Sequence, residues 1–148
     1  MRKLAAVILL GLSQYTSAQL SVQEGFVRGL PPGLPVTAAF MQLENSGSKT
    51  VTIKSIRSDQ AEKVEIHQSL QQGDRVRMQR VPSLSLAPGE TVKLEPNGYH
   101  LMLIDLRSPL KEGDQVLLQV FYGDESSQSF ELPVRSVLNE NIHHHHHH

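Results

Sequence analysis

The chain is punctuated at short intervals by residues that end strands, and this spacing limits its fold more than anything else. Breaks fall at Pro31-Pro32-Gly33, Asn45-Ser46-Gly47, Gln72-Gly73-Asp74, Ala87-Pro88-Gly89, Pro96-Asn97-Gly98, Glu112-Gly113-Asp114 and Gly123-Asp124. Between them lie runs rich in β-branched and apolar residues. The expected strands are Val22–Arg28, Thr37–Asn45, Thr50–Ser58, Lys63–Ser69, Arg75–Val81, Thr91–Glu95, His100–Asp105, Gln115–Tyr122 and Ser127–Val134. Thr91 to Glu95 alternates apolar and polar positions, as a half-buried strand requires. Leu101-Met102-Leu103-Ile104 is continuously apolar, which predicts a strand covered on both faces or one whose second face lines a functional pocket. Many short strands and no helical periodicity after residue 18 predict an all-β sandwich or barrel.

Residues 1–18 have the anatomy of a secretory signal peptide. Arg2 and Lys3 precede the apolar stretch Leu4 to Leu12, and Thr16-Ser17-Ala18 offers a small-residue cleavage site. That stretch is shorter than the roughly 18 apolar residues of a membrane span, and no other segment approaches that length, so no span is expected in the mature chain. The six histidines His143–His148 read as a purification tag. The expected mature domain is therefore 19–142, a single unit long enough to bury its own core. It carries twelve Lys and Arg against fifteen Asp and Glu, a net charge of −3 with His neutral. With no basic block and few aromatics, nucleic-acid binding has no electrostatic support.

Cysteine is absent. That excludes disulfides, thiolate nucleophiles, Cys-ligated zinc, iron–sulfur clusters and the Cys-containing blue-copper site. Outside the tag there are two histidines, His67 and His100, and after the initiator there are three methionines, Met41, Met78 and Met102. Met41 reads as core filler. His100 and Met102, at i and i+2 of a strand, share a face. A hairpin pairing Leu70 with Arg75 across a four-residue loop sets Val64 against Val81, Glu65 against Arg80 and His67 against Met78. Each histidine thereby gains a local methionine. If the two pairs meet, they form a His2Met2 cluster, whose soft neutral thioethers favour Cu(I) over Zn(II) or Mg(II).

The order His67, ten residues, Met78, twenty-one residues, His100, one residue, Met102 resembles the signature of the periplasmic copper chaperone family called PCu(A)C. Val64-Glu65-Ile66-His67, Met78-Gln79-Arg80-Val81, Leu86-Ala87-Pro88-Gly89 and Gly98-Tyr99-His100-Leu101-Met102-Leu103 are similar to its wording. So are Val27-Arg28, Pro31-Pro32-Gly33 and Ala38-Ala39-Phe40-Met41, and the similarity runs from about Val22 to Pro133. One departure is that Gln68 and Ser69 stand where members often carry a methionine shortly after the first histidine. Another is that no His- and Met-rich segment precedes the tag.

The resemblance implies a cupredoxin-like Greek-key β-sandwich. It implies one Cu(I) bound by His67, Met78, His100 and Met102, with no catalytic role. It also implies periplasmic location and copper delivery to respiratory oxidases. The expected partners are the copper-site subunit of a terminal oxidase or a Sco-type thiol protein, met by a monomer. The alternatives are a copper-storage or resistance protein, and a metal-free adhesion or assembly sandwich. The last predicts His67 and His100 more than roughly 10 Å apart, too far for one ion with bonds of about 2 Å.

Overall fold

The computed structural model describes residues 20–136; the proposed signal peptide and tag lie outside the described residues. Ten strands account for the regular structure: β1 (Leu20–Gly29), β2 (Val36–Asn45), β3 (Val51–Arg57), β4 (Ala61–Gln72), β5 (Arg75–Val81), β6 (Leu84–Leu86), β7 (Thr91–Leu94), β8 (Tyr99–Leu106), β9 (Gln115–Tyr122) and β10 (Ser127–Ser136). No helix occurs among the described residues, so none there is long and apolar enough to cross a membrane. Each of the nine expected strands is present. β6 was not expected, because Leu84-Ser85-Leu86 is too short to give a periodic signal.

The hydrogen-bonded order is β5-β4-β8-β7-β2-β1-β10-β9-β3-β6, with further pairings β8–β2 and β4–β3. A closed circuit therefore runs β4, β8, β2, β1, β10, β9, β3 and back to β4. The closing pairing of β3 with β4 is a single pair, Ile56 with Val64. Closure leaves few exposed edges, which is how all-β folds avoid edge-to-edge association. The parallel pairing of β1 with β10 joins the two ends of the domain and marks the topology as more than a simple meander.

Period-two alternation divides most strands between core and outer face; β5, exposed at six of its seven residues, is the exception. On β9, Val116, Leu118, Val120 and Tyr122 are buried while Gln115, Leu117 and Gln119 face out. On β2, Ala39, Met41 and Leu43 join the core, so Met41 packs as the core residue expected. On β8, Leu101 and Leu103 are among the most deeply buried side chains. They pair across to Ile66 and Val64 of β4. This resolves the apolar run Leu101–Ile104: two residues enter the core, while Met102 and Ile104 stand half-buried on the other face.

The β4–β5 hairpin corrects the expected register. Its pairs are Gln72 with Arg75, Ser69 with Met78, His67 with Arg80 and Ile66 with Val81. The loop is two residues, Gly73-Asp74, and Gly73 takes φ +60°, the sign a type II′ turn requires at its first loop position. Gln71 and Gln72 continue the strand instead of entering the loop. The slip is two residues, so every side chain keeps its face.

Candidate metal centre

Three adjacent strands, β5, β4 and β8, bring the predicted residues onto one outer face. His67 lies directly opposite His100, and Glu65 opposite Met102. Met78 lies opposite Ser69, one step diagonally from His67. Along β4 the residues Glu65, His67 and Ser69 alternate with core positions, so all three project to this face. Local spacing gives each histidine a methionine on its own face, and both pairs keep that face here. The β4–β8 pairing further makes the two imidazoles cross-strand neighbours, with ring centroids 6.2 Å apart at an interplanar angle of 41°. An ion about 2 Å from one nitrogen of each ring requires centroids within roughly 5–6.5 Å, so the pair is in range of a shared ion.

The four side chains differ in access. His100 is 4 % exposed, although it projects from the outer face. The turn Pro96-Asn97-Gly98 closes over this end of the sheet. Gly98 N donates to Glu95 O (3.1 Å), Glu95 N to Tyr99 O (2.7 Å) and Ser69 N to Gly98 O (3.1 Å). Met102 is half-buried between Glu65 of β4 and Ala38 of β2. Met78 is 50 % exposed. The cluster thus grades from a buried imidazole to an open thioether.

Hydrogen bonds assign the ring nitrogens. His100 Nδ1 lies 3.3 Å from Gly98 O. A carbonyl can only accept, so Nδ1 carries a proton, and in the neutral ring Nε2 keeps its lone pair. His67 Nε2 lies 2.9 Å from Glu65 Oε2, and a carboxylate likewise accepts, so in the neutral ring the lone pair is on Nδ1. Both rings have the pattern common to metal-ligating histidines, one nitrogen anchored to an oxygen acceptor and the other free. The second Glu65 oxygen lies 3.6 Å from Arg80 Nε. Ser69 Oγ lies 3.3 Å from Met78 Sδ and 3.4 Å from Pro96 O.

Glu65, Ser69 and Gly98 were not read from sequence as supports of the cluster. The spacing Glu-x-His on a strand was the available signal for Glu65, since i and i+2 share a face. Among the described residues, no three His, Cys, Asp or Glu side chains gather as a metal site. Any soft-metal chemistry here therefore depends on thioethers joining the two imidazoles.

Comparison with solved structures defines the class. The fold is that of PCuAC domains: the copper-bound PCuAC domain of PmoF2 superposes with a TM-score of 0.68 at 16 % identity, covering 82 % of this chain and 97 % of that one. The apo PCuAC domain of PmoF1 gives 0.65 at 14 % identity, with 80 % and 95 % covered. The Cu(I) form of DR1885 from Deinococcus radiodurans is similar at 28 % identity and a TM-score of 0.62, with 83 % and 85 % covered. These likenesses bear out the PCu(A)C resemblance and the cupredoxin-like β-sandwich expected from sequence.

Residues 20–134 match the family model described as "Putative lipoprotein LpqE-like", and the chain belongs to that family. "Putative lipoprotein Lxx21020" of Leifsonia xyli subsp. xyli is 30 % identical over 125 residues, 82 % of this chain and 74 % of that protein. An uncharacterized protein of Rickettsia prowazekii is 27 % identical over 99 residues; the match takes in 66 % of this chain and 55 % of that protein's length.

Proposed function

We propose that this protein is an exported, non-catalytic copper carrier that holds one Cu(I) through His67, Met78, His100 and Met102. The observation that carries the reading is the common face of these four residues on β5, β4 and β8, with the two imidazole centroids 6.2 Å apart. The kinship with a Cu(I)-bound structure at 28 % identity adds to it. In this reading residues 1–18 direct export to the periplasm, 19–142 carry the metal, and 143–148 are a tag.

The donor set suits a carrier. Imidazole and thioether are neutral, so loading places no second anion beside the ion, and thioethers select a soft monovalent ion. Neither donor type forms disulfides in an oxidising compartment. His100 Nε2 and His67 Nδ1 present the free lone pairs, while the Gly98 carbonyl and the Glu65 carboxylate hold the rings in orientation. Met78, half exposed, is the donor an acceptor can displace first; His100, buried, is the last to leave. Stepwise displacement lets copper pass between proteins without release to water. The acceptors are proposed to be copper centres of respiratory oxidases, reached directly or through a Sco-type thiol protein.

The test is anaerobic Cu(I) titration of residues 19–142 without the tag, in competition with a chromophoric chelator. One equivalent is expected to bind, and His100→Ala and Met78→Ala are each expected to weaken binding at least about tenfold, the scale on which even supporting contacts act. Wild-type affinity in both variants would overturn the assignment of the site.

A further inference from the structure

The open edge of β5 has a composition that the metal cluster does not explain. Among the described residues, β5 pairs only with β4, and six of its seven residues are exposed. The sheet's other terminal strand, β6, has three residues, two of them buried. β5 carries Arg75, Arg77 and Arg80 and no acidic residue. These are three of the twelve cationic residues in 19–142; without them the net charge of −3 becomes −6. A positive strand thus stands at the rim of an otherwise acidic domain, and Met78 is at its centre.

The hairpin register fixes which backbone groups face outward. In a hairpin closed by two residues, the flanking pair, here Gln72 and Arg75, exchanges both ladder hydrogen bonds. Alternation then turns the N–H and C=O of Arg75, Arg77, Gln79 and Val81 toward β4. Those of Val76, Met78 and Arg80 point to the open edge. The register is continuous from Arg75 to Val81, with no bulge to twist the edge away and no proline within it.

We propose that β5 is the docking edge for an extended acidic segment of the protein that exchanges copper with this chain, added to the sheet as an extra strand beside Met78. The proposal rests on the copper-carrier reading. Strand addition supplies main-chain hydrogen bonds for affinity and side-chain contacts for selectivity. Acidic side chains at alternate positions opposite Arg75 and Arg77, which share the face of β5 away from Met78, give charge complementarity, which speeds and orients encounter. A second copy is a poor occupant, because two β5 edges would set like charges across from one another. A docked strand brings its own donors next to the most exposed ligand of the cluster.

The test uses tag-free 19–142, with and without Cu(I). The probe is a fluorescein-labelled octapeptide of alternating Glu and Val, lacking His, Met and Cys. Its Gln-for-Glu counterpart and vesicles of phosphatidylcholine with phosphatidylserine are the comparisons. The acidic peptide is expected to bind by fluorescence anisotropy and to shift the amide resonances of Val76, Met78 and Arg80 most. Arg75→Glu with Arg77→Glu is expected to weaken it at least about tenfold, and so is Val76→Pro, which removes an outward N–H while sparing the β4 ladder. Both variants should keep the wild-type melting temperature and Cu(I) affinity. Equal binding of the neutral peptide, shifts centred elsewhere, or wild-type peptide affinity in both variants would overturn the proposal. So would vesicle binding without peptide binding. Because peptide binding needs no metal, a protein that binds peptide but not Cu(I) refutes the copper reading and leaves strand docking standing.

Discussion

Replacing Glu65 by Ala tests whether the cluster works as an organised site. Glu65 Oε2 accepts from His67 Nε2 at 2.9 Å, and both side chains are about one-fifth exposed. Loss of the carboxylate frees the His67 ring to rotate and removes the acceptor that fixes its proton on Nε2. Outer-sphere partners of this kind are worth about 10–100-fold in metal affinity, or roughly 1.4–2.7 kcal/mol. Cu(I) affinity of Glu65→Ala should fall by that factor. Glu65→Gln, which keeps an oxygen acceptor at the same reach, should lose less. Folding stability should change little, because the contact to Arg80 is long at 3.6 Å and Arg80 is exposed, and such surface pairs contribute about 0–1 kcal/mol. The assay is chelator competition under reducing, anaerobic conditions beside thermal melts of the same samples. Unchanged Cu(I) affinity in Glu65→Ala, with the fold intact, would refute the argument that this hydrogen bond organises the site.

Other expectations follow from the same geometry. Met78→Ala should lose Cu(I) affinity while its stability stays within about 0.5 kcal/mol of wild type, since the side chain is half exposed; a large drop in melting temperature would contradict this. Burial, with a smaller contribution from Asp124, pushes the Tyr122 phenol up to about 12. An unfolded tyrosine ionises near pH 10, so the native state holds its proton more tightly. The resulting stability is complete below about pH 10 and is lost as pH rises toward about 12, on the order of 2 kcal/mol. Urea unfolding across that range should show the decline, and Tyr122→Phe should flatten it. Gly25→Ala should destabilise by about 1–3 kcal/mol, because a Cβ there meets Leu132 Cδ2 at 2.6 Å; a neutral result in denaturant melts would mean that Leu132 has room to move.

Local chemistry made most of the strands legible. Gly and Pro clusters mark the breaks, and alternation marks the faces of β7 and β10. β6 escaped because two leucines around one serine carry no periodicity of their own; pairing with β3 creates the strand. The hairpin register failed because Gln71-Gln72 reads equally well as loop or strand, and the sheet uses it as strand. The shared face of His67 and Met78 survived because side-chain direction repeats every two residues and the error was two. The opposition of His67 and His100 comes from β4–β8, a pairing of strands distant in sequence that no local spacing encodes. The family signature carried that information instead. Glu65 has a local sign in its Glu-x-His spacing, whereas Gly98 becomes visible as a support only once the strands are assembled.

The single pair that closes the circuit, Ile56 with Val64, has a mechanical consequence. Just beyond it, β4 leaves β3 and takes up β5, and a cavity of about 60 Å³ lies at the junction, lined in part by Ile56, Val64, Val81 and Pro82. Few ladder bonds hold this line against shear, whereas β4 and β8 are paired at seven positions. Amide hydrogen exchange should be faster along that joint than across β4–β8.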